Sequence, residues 1–292
     1  MIKTDMDLLA RSQRKARFLA GFMKSHLLGA IYRRRYRSLR NFLIFAGYPR
    51  SGHTLVAAML DAHPNIVVSI EWGALSHLRM GYRKYGMLYA IERHSRLFTE
   101  KLANRWTGYS YRVDRQWQGK HAEIHTMGDK LAGQTSKILK DHPELLGELT
   151  RIMGLELKII HVIRNPYDTI SAMAYRSAER RGGKVSSADL AEFSQAYFER
   201  VELVSTLRHR SGYDILDLYH EDLIMEPEKV LAQMLDFLEA GYEEDYLKNC
   251  SEIVYDSPHR RRSELSWPGG LKIEIQNRMG RYDFLSRYDF DH

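Results

Sequence analysis

The stretch Gly47-Tyr48-Pro49-Arg50-Ser51-Gly52-His53-Thr54 constrains the fold of this chain more than any other. It carries the phosphate-loop spacing G-x-x-x-x-G-K-[ST] at every position but the lysine, which is His53. The apolar run Asn41-Phe42-Leu43-Ile44-Phe45-Ala46 precedes it, and a helical stripe of Leu55, Val56, Met59 and Leu60 follows. Strand, glycine turn and helix N-terminus in that order make an anion site. Unpaired backbone N–H groups converge there with the positive end of the helix dipole. A nucleotide triphosphatase needs a lysine charge between its β and γ phosphates. With that lysine replaced and Arg50 gained, the loop reads as a holder of a phosphate-bearing ligand rather than a site of ATP hydrolysis.

Around the loop, strand and helix signals alternate. The helix after it spans 53–62 and is ended by His63-Pro64. Ile66-Val67-Val68-Ser69-Ile70 is a β-branched run that delivers Glu71 at its C-terminal edge. Residues 72–127 are rich in Tyr, Arg and Trp, including Trp106 and Trp117, and read as helices and loops built over the sheet. A helix is expected over 138–150, then a central strand over 157–163 that runs directly into Arg164-Asn165-Pro166. Pro166 opens the next helix, where its missing N–H would be unpaired anyway. Leu190, Phe193, Tyr197, Val201, Val204 and Leu207 recur at three- and four-residue intervals and define a helix over 188–209. A strand over 213–219 and a helix opened by Pro227 follow. The alternation predicts an α/β chain, a P-loop-type three-layer fold with a mostly parallel central sheet flanked by helices.

The net charge of +7 is unevenly spread. Residues 1–40 hold eleven Lys or Arg against Asp5 and Asp7, a balance of +9, so the remaining 252 residues sum to −2. This basic helical leader, with Arg33-Arg34-Arg35-Tyr36-Arg37 near its end, reads first as a solvated helix packed across the main domain. Peripheral contact with an anionic membrane, together with Phe18, Leu19, Phe22, Leu27 and Leu28, is the second reading, and nucleic acid is disfavoured. No stretch approaches the roughly eighteen apolar residues of a membrane span, and no secretory signal is legible. The single Cys250 forms no internal disulfide, which fits a reducing compartment. A cytoplasmic protein, at most peripheral to a membrane, is expected. No Cys/His cluster marks a zinc site.

Sheets of this kind place ligands at the C-terminal edges of their strands. The loop offers backbone donors, the Arg50 guanidinium and the Thr54 hydroxyl there, Arg164 ends a second strand, and Glu71 ends a third. Two separated cationic anion sites imply a ligand with phosphates in two places. Taken singly, each residue has a plainer reading: Arg164 as an ion pair with Asp168, Glu71 as an exposed carboxylate, His53 as a helix-start residue. A magnesium site of the Walker kind needs an apolar strand ending in Asp, whereas the best candidate ends in Arg164. Asp222, after the 213–219 strand, reads as well as a loop or cap residue. The chemistry is therefore expected to run without a metal.

Pro49-Arg50-Ser51-Gly52-His53-Thr54 resembles the P-R/K-S-G-T-T loop of sulfotransferases that use 3′-phosphoadenosine 5′-phosphosulfate (PAPS), with His53 replacing the first Thr. As in the tyrosylprotein sulfotransferase branch, the loop continues into an L-D-A-H-P turn, here Leu60-Asp61-Ala62-His63-Pro64. Glu71 follows at the spacing of that branch's catalytic Glu, so the resemblance implies Glu71 as the base. Ile163-Arg164-Asn165-Pro166 resembles the family's 3′-phosphate site, in which a Ser stands eight residues beyond the Arg. Ala172 holds that position here. Either Ser171 substitutes after a small shift, or Arg164 holds the phosphate with other groups. His220-Glu221-Asp222-Leu223 resembles a Y-E-D-L segment, and Gly128-Asp129-Lys130 resembles a bacterial-type segment whose lysine approaches the transfer site. Arg260-Arg261-Arg262, with Trp267 after it, resembles a loop that closes over the nucleotide. The resemblance covers residues 41–288 and leaves the leader outside. Unlike cytosolic small-molecule members, the chain has Leu55 where they place an adenine-stacking Trp. It also lacks their histidine base in context; His125 is the fallback.

The resemblance implies in-line transfer of a sulfuryl group from PAPS, as co-substrate and without a metal, to a hydroxyl. The products are a sulfate ester and adenosine 3′,5′-bisphosphate. Glu71 would take the hydroxyl proton, while Arg50, Lys130 and the N–H groups of the 52–54 turn balance charge on the phosphosulfate. The nucleotide would be held by Arg50, Ser51, Gly52, His53 and Thr54, by Arg164, Ser171 and His220, and by Arg260, Arg261 and Arg262. Residues 41–292 would form a single domain, with 72–127 receiving a small-molecule, glycan or lipid hydroxyl. Two alternatives stand beside this. A P-loop phosphotransferase or nucleotide hydrolase predicts Mg²⁺ dependence and ATP binding, and a noncatalytic nucleotide-binding scaffold predicts function unchanged by Glu71→Gln.

Overall fold

The computed structural model describes residues 2–104, 108–209 and 212–291, with side chains from residue 16 onward. Trp106 lies outside the described residues. The first half of the chain runs α1 (Ile2–Ile31), β1 (Asn41–Gly47), α2 (His53–Asp61), β2 (Ile66–Ile70), α3 (Ala74–Arg79), α4 (Lys84–Lys101) and β3 (Thr126–Lys130). Next come α5 (Ala132–Asp141), α6 (Leu145–Met153), β4 (Glu156–Ile163), α7 (Pro166–Arg180), α8 (Ser187–His209) and β5 (Asp214–Tyr219). The chain closes with α9 (His220–Met225), α10 (Pro227–Phe237), α11 (Glu244–Ser251) and α12 (Gly269–Met279).

The strands form one sheet in the order β2-β3-β1-β4-β5, and every adjacent pair is parallel. Successive residues of a strand point to opposite faces, which explains the unbroken apolar run of β1. Leu43 and Phe45 enter the core shared with α2, α10 and α11, whereas Phe42, Ile44 and Ala46 enter the core shared with α4, α5 and α6. A strand buried on both faces loses the apolar–polar alternation of a half-exposed one. A third core gathers Tyr48, Tyr167, Tyr197, Phe198 and Phe284 beneath α7, α8 and α12.

Two elements differ from the sequence expectation. Thr126–Lys130, within and just beyond the stretch read as helices and loops, is the strand β3 between β2 and β1. Its Thr-Met-Gly-Asp-Lys composition carries no β-branched run, yet all five residues are buried. Gly128 is required by close pairing: a Cβ there would lie 2.4 Å from the Leu43 carbonyl oxygen. The helix expected over 138–150 is two helices, because Pro143 drives His142 out of the helical region (φ −140°, ψ 68°).

The leader helix α1 packs along α4. At the contact a Cβ on Gly29 would lie 2.2 Å from the Tyr85 carbonyl oxygen, so only glycine fits. Beyond it the short turn Arg33–Tyr36 buries Tyr36, whose O–H donates to the buried Glu92 at 2.7 Å. No helix among the described residues is long and apolar enough to cross a membrane.

Candidate active site

The C-terminal ends of the five strands each deliver a polar group to one edge of the sheet. In strand order these are Glu71 after β2, Lys130 ending β3, the Arg50 loop after β1, Arg164 after β4 and His220 after β5. Neighbouring strands lie about 4.8 Å apart, so the five groups are spread along a row rather than gathered at a point. A cleft of about 600 Å³ runs along this row, lined by all five together with Thr54 and Arg261.

The loop is shaped by glycine and held from below. Gly52 has φ +94°, and a Cβ on it would stand 2.3 Å from the His220 ring, so both backbone and space exclude a side chain. Arg50 itself has φ +71° and is exposed to the cleft. Beneath, the buried Tyr48 donates its O–H to His161 Nε2 at 3.0 Å, and His161 Nδ1–H is donated to Asp217 at 2.9 Å. A carboxylate only accepts, which sets this tautomer. Ser136 Oγ bridges the Gly47 N–H and carbonyl, both at 3.0 Å.

His53 is buried, and its ring turns back under the loop to bond the Ala46 carbonyl at 3.2 Å. Burial, and then the charge of Lys130, push its pKa down to about 3, so the ring is neutral. Its side chain is thereby committed to β1, and the group it leaves for a phosphate is the backbone N–H at the helix start. Ser51 Oγ is buried without a hydrogen-bond partner and does not line the cleft.

Glu71 and Lys130 meet as an ion pair across the ends of β2 and β3. The Glu71 N–H continues the strand ladder to the Lys130 carbonyl at 2.8 Å, although Glu71 has φ +67°. Sequence reading did not assign a role to Asp129, which holds this turn in place. Its buried carboxylate accepts from Ser69 Oγ (2.6 Å) and from the N–H groups of Trp72 (3.2 Å), Gly73 (2.9 Å) and Ala74 (2.8 Å). Burial raises the Asp129 pKa against the pull of these donors. Asp61 of the L-D-A-H-P turn plays a parallel structural part. It accepts from Val68 N–H, Ser95 Oγ and Gly119 N–H, and burial pushes it up to about 6.

The other end of the cleft corrects several expectations. Arg164 does not pair with Asp168; its guanidinium donates to the carbonyls of Arg50 (3.2 Å) and His259. Asp168 is taken by Arg262, through Nη1 at 2.5 Å and the backbone N–H at 2.8 Å, in a pair that is almost wholly buried. Arg262 is thus committed to Asp168 and does not line the cleft, and Arg260 turns to the Asp291 carbonyl at 3.4 Å. Of the three arginines only Arg261 lines the cleft, its guanidinium carbon 4.4 Å from the centre of the Tyr175 ring.

Ser171 does not reach the cleft. It is fully buried with Oγ unpaired, while Ala172 lines the cleft. One residue on a helix is a rotation of about 100°, enough to turn the hydroxyl into the interior. His220 lines the cleft beside Arg164, and its Nδ1 has no hydrogen-bond partner. Burial, then Arg164, push its pKa down to about 3. Arg180, in the last turn of α7, also lines this end and was not singled out in the sequence.

Of the 72–127 stretch, Tyr109 and Tyr111 reach the cleft, where Tyr109 packs edge-on against Tyr255 at 5.4 Å. Trp117 lies away from it, its N–H bonded to the Ala62 carbonyl at the far end of α2. His125, the fallback base, sits just before β3, at the opposite end of that strand from Lys130, and faces Glu123. Asp222 is held by Arg287 at 2.6 and 2.7 Å.

A parallel sheet with a phosphate loop at its C-terminal edge defines an α/β protein of the phosphate-loop class. The sequence matches the Sulfotransferase family over residues 43–244, and the chain belongs to that family. It is a sulfotransferase, which sets aside the nucleotide-hydrolase and noncatalytic alternatives. The fold is similar to that of a sulfotransferase domain from the curacin biosynthetic pathway, at 17% identity and TM-score 0.52, covering 83% of this chain and 97% of that one. It is also similar to a sulfotransferase from Mycobacterium avium, at 11% identity and TM-score 0.52, covering 86% and 77%. At such identities the likeness is one of fold. No curated protein matches the chain by sequence.

Proposed function

We propose that this sulfotransferase moves a sulfuryl group from PAPS to the hydroxyl of a small-molecule, glycan or lipid acceptor. The observation that carries the reading is the Glu71–Lys130 ion pair beside the phosphate loop, in the same cleft as a second cationic site at Arg164 and Arg261. A donor with phosphates in two places fits that division, and His220 lines the cleft beside Arg164 at the second site.

In this reading Arg50, Thr54 and the backbone N–H groups of the 52–54 turn hold the 5′-phosphosulfate. Arg164, Arg261 and His220 hold the 3′-phosphate, where a guanidinium offers two parallel donors. Lys130 balances charge that develops on the oxygen leaving sulfur. Glu71 accepts the proton of the attacking hydroxyl. Tyr109, Tyr111 and Tyr255 form the aromatic wall against which the acceptor lies.

The test is a panel of acceptor hydroxyls incubated with radiolabelled PAPS. Glu71→Gln should lower sulfate transfer roughly a hundredfold or more while leaving adenosine 3′,5′-bisphosphate binding unchanged. Wild-type transfer by that variant would remove Glu71 as the base. Transfer should also survive chelation, and its loss on chelation would bring a metal into the mechanism.

A further inference from the structure

The leader helix α1 has two faces of different fate. Phe22, Ser25, His26 and Gly29 turn inward, with Phe22 edge-on to Tyr82 at 5.0 Å and Ser25 buried. On the other side Leu19, Met23, Leu27 and Ile31 recur every fourth residue and are 54, 63, 63 and 60% exposed. At 1.5 Å per residue this bare apolar stripe is about 18 Å long. It differs from the face expected from the sequence: Phe22 is withdrawn into the protein, and Met23 and Ile31 join instead.

The stripe is bordered by positive charge. Arg17 and Lys24 are exposed on α1, and Arg33, Arg34 and Arg37 are exposed just beyond its end. The loop between α3 and α4 touches the same helix, through the Arg83 N–H to His26 Nε2 at 3.1 Å. That loop adds the exposed Arg83 and a Met80 that is 53% exposed, and the last residue of α3 adds the exposed Arg79.

We infer that α1 is an interfacial helix that seats this protein on an anionic lipid surface. An apolar stripe bordered by Lys and Arg, on a helix too polar to span, is the pattern of a helix lying in the headgroup plane. Polybasic flanks add attraction to anionic headgroups. A second copy of the chain is the poorer occupant, because two leaders carrying +9 each would be brought together. The helix is also tied to the site. Phe18 stacks on His77 at 6.5 Å, His77 stacks on Trp72 at 4.0 Å, and Trp72 follows Glu71. The inference does not depend on the identity of the sulfuryl donor.

The experiment is co-sedimentation of the full chain with phosphatidylcholine vesicles, with and without phosphatidylserine. Binding is expected only with phosphatidylserine and should weaken as salt is raised. Replacing Arg33, Arg34 and Arg37 together by Ala should weaken it roughly a hundredfold. Replacing Leu19, Met23, Leu27 and Ile31 together by Ser should abolish it, with thermal melts reporting that the variant folds. Should the serine variant not fold, the arginine variant and the salt dependence decide. Equal binding to neutral vesicles, or binding indifferent to the arginines, overturns the inference. So does absence of vesicle binding accompanied by a concentration-dependent dimer that the serine variant loses.

Discussion

At the Glu71 end of the cleft both charged groups leave adjacent strands, whereas the Arg164 end adds to its two strand-end groups, Arg164 and His220, an arginine of the C-terminal segment, Arg261, and Arg180 of α7. Ile70 faces Lys130 in the β2–β3 ladder, so Glu71 stands one residue beyond a fixed register, and Asp129 clamps its turn from the same strand. Arg164 also stands one residue beyond a paired position, Ile163, but its guanidinium rests on two loop carbonyls, and Arg261 lies over Tyr175 in the C-terminal segment that the Arg262–Asp168 pair anchors. Sheet register positions a side chain through many shared hydrogen bonds, while a loop depends on a few side-chain partners. Damage at the first end should therefore appear in chemistry, and damage at the second in stability and affinity.

The largest effect expected is at the second end. Arg262→Ala strands the buried Asp168 carboxylate and should cost about 3–5 kcal/mol of folding stability, measured by urea denaturation. A variant as stable as wild type would deny that this pair anchors the segment. At the first end, Lys130→Ala should lower turnover roughly a hundred- to a thousandfold with stability and bisphosphate binding little changed. A change confined to binding would erase the contrast between the ends.

A smaller effect is expected beneath the loop. His53 is held neutral in the fold, with its pKa pushed down from 6.5 to about 3, so the unfolded chain binds its proton first as the pH drops. Stability should fall as pH goes from 6.5 toward 3, by at most about 1.4 kcal/mol per pH unit for this residue. His53→Thr should flatten that slope in denaturation measured between neutral pH and pH 5, and an unaltered slope would count against a buried neutral imidazole. The smallest effect is Ala172→Ser, which places a hydroxyl in the cleft where Ser171 cannot. It should tighten adenosine 3′,5′-bisphosphate binding about fivefold by calorimetry. No gain would mean that the 3′-phosphate lies away from Ala172.

Much of this arrangement was legible because its signals are local. β1, β2, β4 and β5 announce themselves by apolar or β-branched runs, and Glu71, Arg50 and Arg164 stand directly at the ends of three of them. β3 did not, since Asp129 and Lys130 occupy a buried strand for the sake of the site rather than the core. The three consecutive arginines show the opposite difficulty. Arg260, Arg261 and Arg262 are alike in sequence but meet Asp291, Tyr175 and Asp168 respectively.

The sequence by itself determined a phosphate loop between a strand and a helix, a parallel sheet covered on both faces, and a basic leader. Those features rest on backbone periodicity and on glycine conformation, which neighbouring residues dictate. Only the tertiary structure decided that Asp168 belongs to Arg262, 94 residues away, that Ser171 faces the core while Ala172 faces the cleft, and which stripe of α1 stays bare. Each of those outcomes depends on the orientation in which distant elements dock, and no local pattern encodes that orientation.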